Sequence, residues 1–463
     1  MSIQFWFATI VFIVSFVAVA TEKIHKTTAV LIGSAIMLLF ILPGPVSHMV
    51  ANSSSMASEI VSPHLGSGSV GVASLDTYAN YVNFDVIFTL AGMMILVNIL
   101  SGTGIFQYIA IKSAKFAKGN PTRTMILLVV STAVLSAFLD NVTTVLLIAP
   151  ITFIVASELD VPVLPFLMAE TLASNIGGAA TLIGDPPNLL IGSAAGLNFM
   201  AFIYNLAPFI VVLMIIYCFF LRRYYKTRMK VTVEKRAKIM ELDELSAITD
   251  FSNLKRAGFV VVVTLIGFLI HGAVGLQPSV IAMSGADLAL GVCKVNVDKM
   301  LEKIEWSTLF FFIGLFILVE GAEYVGLISR IGHLLDLTSG WNPLCIILVL
   351  MWFCGIIVAF MNNVSFTAVA ISVVGGFLTT SPLFSGNPQL QRLLWWGLAL
   401  AVCLGGNFTI IGAAANLVTA GVAEQAGNKI SFKEFMKYGI PVSFASLVLS
   451  SIYISLRYFL IQS

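Results

Sequence analysis

Apolar runs fill most of the chain, and short polar stretches separate them. A run of roughly 20 apolar residues is enough to cross a hydrocarbon core about 30 Å thick. The stretch 86–111 fits one such crossing, whereas four longer runs carry polar residues, glycine or proline near their middle. Such interruptions predict re-entrant hairpins or discontinuous helices. The hairpins are predicted at 123–156 and 343–379, and the discontinuous helices at 162–197 and 393–423, beside about ten transmembrane spans.

Composition favours a membrane protein. Of the 463 residues, 58% are hydrophobic and 10% are charged, whereas a soluble domain carries about 25% charged residues. The five cysteines stand singly and form no CxxC pair, so neither a disulfide framework nor a metal site is predicted. No P-loop motif and no catalytic motif is visible. We therefore expect a transporter driven by an ion gradient, not an enzyme, with no cofactor and no nucleic-acid partner.

An internal repeat divides the chain into two similar halves. Three blocks occur in the same order in both halves, which chance would rarely produce. Residues 83–104 align with 305–326, residues 138–143 with 360–365, and residues 177–188 with 405–416. The predicted organisation is a first span and cytoplasmic turn at 1–27, a first repeat at 28–221, a cytoplasmic basic linker at 222–256, and an extra span with the second repeat at 257–463.

Lysine and arginine positions predict the orientation of the halves. If both hairpins return to the side from which they enter, all but three of the 25 Lys and Arg residues fall on one side of the membrane. The three exceptions are Arg330, Arg392 and Arg457. The basic side is therefore predicted to be cytoplasmic, with both termini outside. The two repeats are then antiparallel.

The two discontinuous helices are predicted to break near their middle. Gly184, Pro186 and Pro187 interrupt the first, because proline lacks an N–H donor and clashes with the preceding turn. Gly412 occupies the position equivalent to Gly184 in the second. Unwound backbone at membrane depth is tolerated only where it is buried in protein or lines a wet cavity. Since the ends of half-helices carry partial charges, the breaks and hairpin tips are predicted to meet at one polar pocket.

Two acids distinguish the first half from the second. Asp140 at the first hairpin tip aligns with Asn362, and Asp185 at the first break aligns with Ala413. A carboxylate at membrane depth costs roughly 2.5–3.5 kcal/mol on insertion scales, so both are candidates for proton or ion coupling, with structural capping as the alternative. Glu170 is placed at a membrane interface. Capping is the alternative role for four candidate asparagines, and bonding back to their own helix is the alternative for Thr181 and Thr409. The four asparagines are Asn141, Asn188, Asn363 and Asn416. The full set of candidate substrate ligands is Asn141, Thr143, Thr181, Asn188, Asn363, Ser365, Asn407, Thr409 and Asn416.

These blocks resemble the signatures of one group of transporters. The stretches 139–144, 175–188 and 404–416 are similar to those of ArsB-type arsenite permeases, NhaD-type sodium/proton antiporters and the melanosomal P protein. The stretches 304–312 and 420–424 fit the same group, and the resemblance covers nearly the whole chain. The Gly-Asp-Pro-Pro-Asn form of the first break is nearest to the P protein and to bacterial proteins named arsenite permeases. Well-known ArsB pumps carry a different sequence there.

The resemblance implies an all-α polytopic membrane protein with the inverted-repeat ion-transporter fold. It also implies an elevator-type mechanism, a homodimer and a place in the cell inner membrane. The predicted function is efflux of arsenite or antimonite in exchange for protons, because a pocket of amides and hydroxyls suits As(OH)3, a small inorganic solute. The alternatives are a Na+/H+ antiporter that uses the same acids, and an anion, dicarboxylate or chloride transporter similar to the P protein. Association with a separate ATPase subunit is left open.

Overall fold

The computed structural model describes residues 3–21, 24–42, 79–229, 231–241, 243–335, 338 and 340–462. Every regular element in these ranges is a helix, as predicted. Residues 43–78 of the predicted first repeat lie outside them. The helices of the first half are α1 (Ile3–Thr21), α2 (Lys26–Phe40), α3 (Phe84–Ser101), α4 (Ile105–Phe116), α5 (Pro121–Phe138), α6 (Asn141–Leu159), α7 (Leu164–Gly178), α8 (Pro186–Ala195), α9 (Phe199–Asn205) and α10 (Ala207–Tyr225).

A linker helix, α11 (Val233–Glu241), leads into the second half. Nine described helices are long and apolar enough to cross a membrane, or ten if α8 and α9, which meet at 110°, form one broken span. The prediction of about ten spans is confirmed. The helices of the second half are α12 (Phe251–Val274), α13 (Pro278–Val292), α14 (Val297–Glu302), α15 (Trp306–Tyr324), α16 (Leu327–Leu335), α17 (Pro343–Val358), α18 (Asn363–Thr380), α19 (Pro388–Gly405), α20 (Ala414–Gln425) and α21 (Phe432–Gln462).

Several helices begin with an asparagine followed by proline. Asn120, Asn342 and Asn387 each accept a backbone N–H from the first turn of α5, α17 and α19. Proline is tolerated directly after such a cap, because the N–H that it lacks would have no partner within the helix. The start of each hairpin and of the second discontinuous helix is thus fixed by local chemistry.

The predicted single span at 86–111 is wrong, because the chain breaks between α3 and α4. Gly104 caps α4 in the left-handed conformation, with φ of +81°. A Cβ atom on Gly104 would lie 1.8 Å from the carbonyl oxygen of Ala247 in the linker. The corner therefore depends on glycine both for its backbone conformation and for the close approach of the linker.

Two groups of helices each combine elements from both repeats. In the first, α2 packs on α15 and α3 packs on α13; we call these four helices the scaffold. In the second, α8 of the first repeat packs on α18 of the second, and α20 of the second packs on α6 of the first. We call α5–α8 and α17–α20 the crossed body. Each broken helix thus finishes against the hairpin of the other repeat.

Burial separates peripheral helices from central ones. Only 22% of the apolar window of α10 and 28% of that of α12 is buried, against 56% for α3, α5 and α15. Many large apolar side chains of α10 and α12 are exposed, as Val212 and Phe259 illustrate. Such a surface suits the acyl chains of lipid. The central helices are the ones that carry the polar site.

The basic linker is docked on the membrane-spanning helices. Its helix α11 lies against α4 and α6. Lys235 forms an ion pair with Asp160, just after α6, and Glu244 forms one with Lys115 on α4. The hydroxyl of Thr249 donates to the carbonyl of Gly102 at 2.9 Å. Because both ends of the first hairpin face this linker, the hairpin returns to the side from which it enters.

Candidate functional site

Each hairpin tip is a capped helix start. The carboxylate of Asp140 accepts the backbone N–H of Thr143 at 2.9 Å and its hydroxyl at 2.5 Å. At the second tip the side-chain oxygen of Asn362 accepts the N–H of Val364 at 3.0 Å. Both therefore cap the returning helix, which is the alternative role that the sequence left open. Asp140 is half-buried and also faces the cavity described below.

The breaks of the two discontinuous helices are built in the same way. The chain leaves helical geometry between α7 and α8, and again between α19 and α20. A Cβ atom on Gly184 would lie 2.6 Å from the carbonyl oxygen of Gly178, and one on Gly412 would lie 2.5 Å from that of Gly406. Since real Cβ atoms do not come so close to a backbone oxygen, glycine is required here for close backbone packing.

Two equivalent asparagines hold the unwound segments. Asn188 and Asn416 are both fully buried. The side-chain amide of each donates to two carbonyl oxygens of its own break, at distances between 2.8 and 3.3 Å. Unwound backbone in an apolar body needs such partners. The acceptors are the carbonyls of Gly178 and Thr181 for Asn188, and those of Gly406 and Thr409 for Asn416.

The same two asparagines also connect the repeats. The side-chain oxygen of Asn416 accepts from the amide of Asn175 at 2.9 Å, and that of Asn188 accepts from the thiol of Cys403 at 3.4 Å. Asn175 also donates to Asn407 at 2.7 Å. The repeat alignment places Asn175 opposite Cys403. One repeat therefore makes this bond with an amide, and the other makes it with a much weaker thiol donor.

Asp185 is a buried carboxylate at the first break, with 1% of its surface exposed. Its oxygens accept from the amide of Asn141 at 3.3 Å and from that of Asn363 at 3.4 Å. One amide comes from each hairpin, so the acid joins both tips to the break. Among the described residues no lysine or arginine forms an ion pair with it. The carboxylate is therefore held only by neutral donors.

A cavity of about 290 Å³ lies between the crossed body and the scaffold. Both acids, Asp140 and Asp185, line it together with the hairpin tips. The scaffold wall is formed by α2, α3 and α15, and it brings Lys26 and Glu305 to the same space. The two acids thus line the same cavity.

The predicted site residues fall into two groups. Those that line the cavity are Asp140, Asn141, Asp185, Pro186 and Asn363. Behind them, Thr181 and Thr409 donate to the carbonyls of Ala137 and Ala359 at the ends of α5 and α17, next to the hairpin tips. The residues placed in this supporting layer, whose contacts are with the breaks and tips and not with the cavity, are Thr143, Thr181, Gly184, Pro187, Asn188, Asn407, Thr409, Gly412 and Asn416.

Ser365 and Glu170 are placed differently. Ser365 is buried, and its hydroxyl has no hydrogen-bond partner among the residues that the structure describes; it does not line the cavity. Glu170 is also buried, with both carboxylate oxygens accepting from the hydroxyl of Thr152 at 2.7 and 2.9 Å. This burial inside the protein was not predicted, and the interfacial position of Glu170 stays a prediction.

Sequence reasoning missed three groups of the site. Lys26 and Glu305 line the cavity from the scaffold, and Asn175 joins the two breaks. A signal for Glu305 was present, because the repeat places this acid opposite the neutral Asn83, as it places Asp185 opposite Ala413. Lys26 gave no such signal, since a lysine at the start of a span usually lies at the interface.

Comparison with known proteins shows that this chain is similar to transporters. A family model described as a citrate transporter, CitMHS, matches residues 16–401. A protein named an uncharacterized transporter in Mycobacterium tuberculosis is 37% identical over 98% of this chain and 99% of its own length. The human P protein is 30% identical over 82% of this chain, which spans 54% of that protein. The crystal structure of the Alcanivorax borkumensis YdaH transporter matches with a TM-score of 0.59 at 11% identity, covering 94% of this chain and 98% of the other.

Proposed function

Because the chain belongs to the CitMHS citrate transporter family, we propose that it is a proton-coupled secondary transporter in which Asp185 carries the exchanged proton. One observation carries this proposal: Asp185 is buried at a helix break, is held by two neutral amides and borders a cavity shared with Asp140. A carboxylate at this depth is costly unless a cation or a proton meets it, and in membrane proteins such groups mark ion pathways.

The proposed solute is the neutral hydroxide of arsenic or antimony. The cavity lining carries the acids Asp140, Asp185 and Glu305 against one cation, Lys26. A free anion would meet repulsion there, whereas an uncharged cluster of hydroxyls can donate to carboxylates and accept from the amides of Asn141 and Asn363. In this proposal the protein lies in the cell inner membrane and exports the solute from the cell in exchange for entering protons.

The second candidate solute is a citrate-like carboxylate. The description of the matching family favours it, and Lys26 supplies one cation on the scaffold wall. Protonation of Asp140 and Asp185 would remove two of the three repelling charges, so this solute would move together with protons. The direction of proton movement relative to the solute then separates the two candidates, since arsenite would be exchanged for protons whereas a carboxylate would move together with them.

The layout of the cavity supports an elevator-type motion. One wall belongs to the crossed body and the other to the scaffold. Sliding of the crossed body against the scaffold would carry the tips, the breaks and Asp185 together, because they are bonded to one another. The scaffold residues Lys26 and Glu305 would stay behind. The hydrogen-bonded layer behind the site would then move as a rigid unit.

The test uses everted membrane vesicles that contain the wild-type protein or Asp185→Asn. We expect wild-type vesicles to take up arsenite in a pH-dependent way, with accompanying proton movement. Vesicles with Asp185→Asn should show neither. Asp298→Asn is the matched control, because Asp298 is an exposed acid in the first turn of α14 and should behave as wild type. Preserved pH-dependent uptake by Asp185→Asn would refute the role of Asp185.

Solute identity is read from the same vesicles. Proton movement driven by citrate but not by arsenite would select the carboxylate candidate. Proton movement driven by Na+, with no effect of either solute, would instead make the protein a Na+/H+ antiporter that uses the same acids. In both cases Asp185→Asn is still expected to abolish the signal, so the coupling role and the solute are tested separately.

A further inference from the structure

A second cavity, of about 370 Å³, opens on the other side of the molecule from the basic linker. It lies where the turn between α8 and α9, the start of α19 and the end of α21 meet. We call it the outer cavity. Its lining includes Arg392 on α19 and Arg457 on α21, together with the amides of Asn198, Asn205 and Gln389.

The two arginines are unusual for this side of the membrane. Of the 25 Lys and Arg residues, only three are predicted outside, as expected from the rule that positive charge is retained in the cytoplasm. Arg392 and Arg457 are two of these three, and they line one cavity. The third, Arg330, lies over the ring of Phe5 instead, at 4.4 Å from its centroid. A cluster of the rarest charge on this face points to a binding role.

The positive charge of the outer cavity is not met by an acid. Arg457 donates to the side-chain oxygen of Asn205 and to the hydroxyl of Tyr453 at 3.2 Å. That hydroxyl in turn donates to the carbonyl of Asn205. These neutral acceptors hold the guanidinium in place but leave its charge. No acid among the described residues lines the cavity or pairs with either arginine. Guanidinium forks and amide donors in this arrangement fit a phosphate or carboxylate.

Apolar surface beside the outer cavity indicates where the anion comes from. Ile461 lines the cavity at the end of α21, and Leu456, Phe459 and Leu460 are 59 to 75% exposed on the same last turns. Tyr204 on α9 is 73% exposed. An aromatic residue beside apolar turns is typical of the membrane interface. The acyl chains of a lipid could therefore pack on α21 while its headgroup occupies the outer cavity.

We propose that the outer cavity binds the phosphate headgroup of an anionic phospholipid of the outer leaflet through Arg392 and Arg457. The cavity volume exceeds that of a single phosphate group and accommodates part of the glycerol as well. A soluble phosphate or carboxylate shares the same chemistry, so the experiment must separate the two sources. The site is distinct from the transport cavity, with which it shares no lining residue.

The test measures the thermal unfolding of the purified full-length protein in detergent after addition of phosphatidylglycerol or phosphatidylcholine. We expect phosphatidylglycerol alone to raise the melting temperature of the wild type and of Arg330→Gln, and the shift to be lost in the double variant Arg392→Gln/Arg457→Gln. Should the double variant not fold, each single variant should lose part of the shift, and Arg457→Lys should retain part of it.

Three results would overturn the proposal. An equal shift in wild type and in the double or single variants would mean that the lipid binds elsewhere. A shift produced by inorganic phosphate or citrate without lipid, and lost in the same variants, would mean that the cavity takes a soluble anion and not a headgroup. A wild-type protein that responds equally to both phospholipids would also contradict it.

Discussion

Replacement of Asn416 by alanine should destabilise the protein more than the equivalent change at Asn188. Asn416→Ala removes two donors to backbone carbonyls, each at 2.8 Å, and the acceptor of Asn175 at 2.9 Å. Interhelical hydrogen bonds in membrane proteins contribute about 0.6 kcal/mol on average and about 1.7 at most. Three such bonds give a loss of roughly 2–5 kcal/mol. Asn188→Ala removes two backbone bonds and a weak thiol bond, so its loss should be roughly 1–3 kcal/mol.

Equilibrium unfolding in mixed micelles with increasing sodium dodecyl sulfate measures both losses. Asn428→Ala is the control, because the Asn428 amide bonds only within the loop that follows α20, and it should have little effect. The hydrogen-bonded layer would be unimportant if Asn416→Ala lost less than about 1 kcal/mol. An equal loss at Asn188 and Asn416 would refute the inference that the thiol of Cys403 is the weaker partner.

Two further predictions concern packing and the linker. Gly177→Ala places a Cβ atom 2.2 Å from the carbonyl oxygen of Ala133 and should lower the free energy of unfolding by about 1–3 kcal/mol or more. Gly421→Ala is the control, because there is open space around Gly421, and it should leave the melting temperature unchanged or raise it. The reverse order would contradict the close packing of α7 on α5. The hydrogen bond from Lys235 holds the pKa of Asp160 below its usual range, so the pair is intact at neutral pH and is lost only as pH falls through that lowered value. Asp160→Asn should therefore speed tryptic cleavage of the linker at neutral pH and low salt, while Glu158→Gln should not; equal cleavage rates would show that the pair does not hold the linker.

Much of the fold follows from the sequence because its determinants are local. The Gly-Asp-Pro-Pro segment cannot continue a helix, and the structure indeed breaks between Gly178 and Pro186. The repeat makes the second break predictable from the first, although no proline stands beside Gly412. The corner at Gly104 was not predictable, because a single glycine in an apolar run is compatible with a continuous helix. Its reason lies 143 residues away, in the carbonyl of Ala247 that packs against it.

The candidate site was predictable in its first layer only. The sequence predicted four residues that line the cavity, Asp140, Asn141, Asp185 and Asn363. They were predicted because polar groups in an apolar run demand a partner. Whether an asparagine faces the cavity or the broken backbone depends on the direction of its side chain in the assembled body. Asn188 and Asn141 look alike in sequence, yet one supports the break and the other reaches Asp185. The cavity residues of the scaffold could not be predicted, because their position depends on how one repeat packs on the other.

The crossed body has a consequence for the origin of the molecule. Because α8 finishes against α18 and α20 finishes against α6, a single half would leave each broken helix without its companion. A gene that encoded one half alone could yield a complete body only if two copies met after insertion in opposite directions. Fusion through a basic linker would then have fixed one direction for each copy, freeing the halves to diverge. The acids of the first half, which stand opposite Asn362 and Ala413 in the second, are the kind of difference that such divergence would produce.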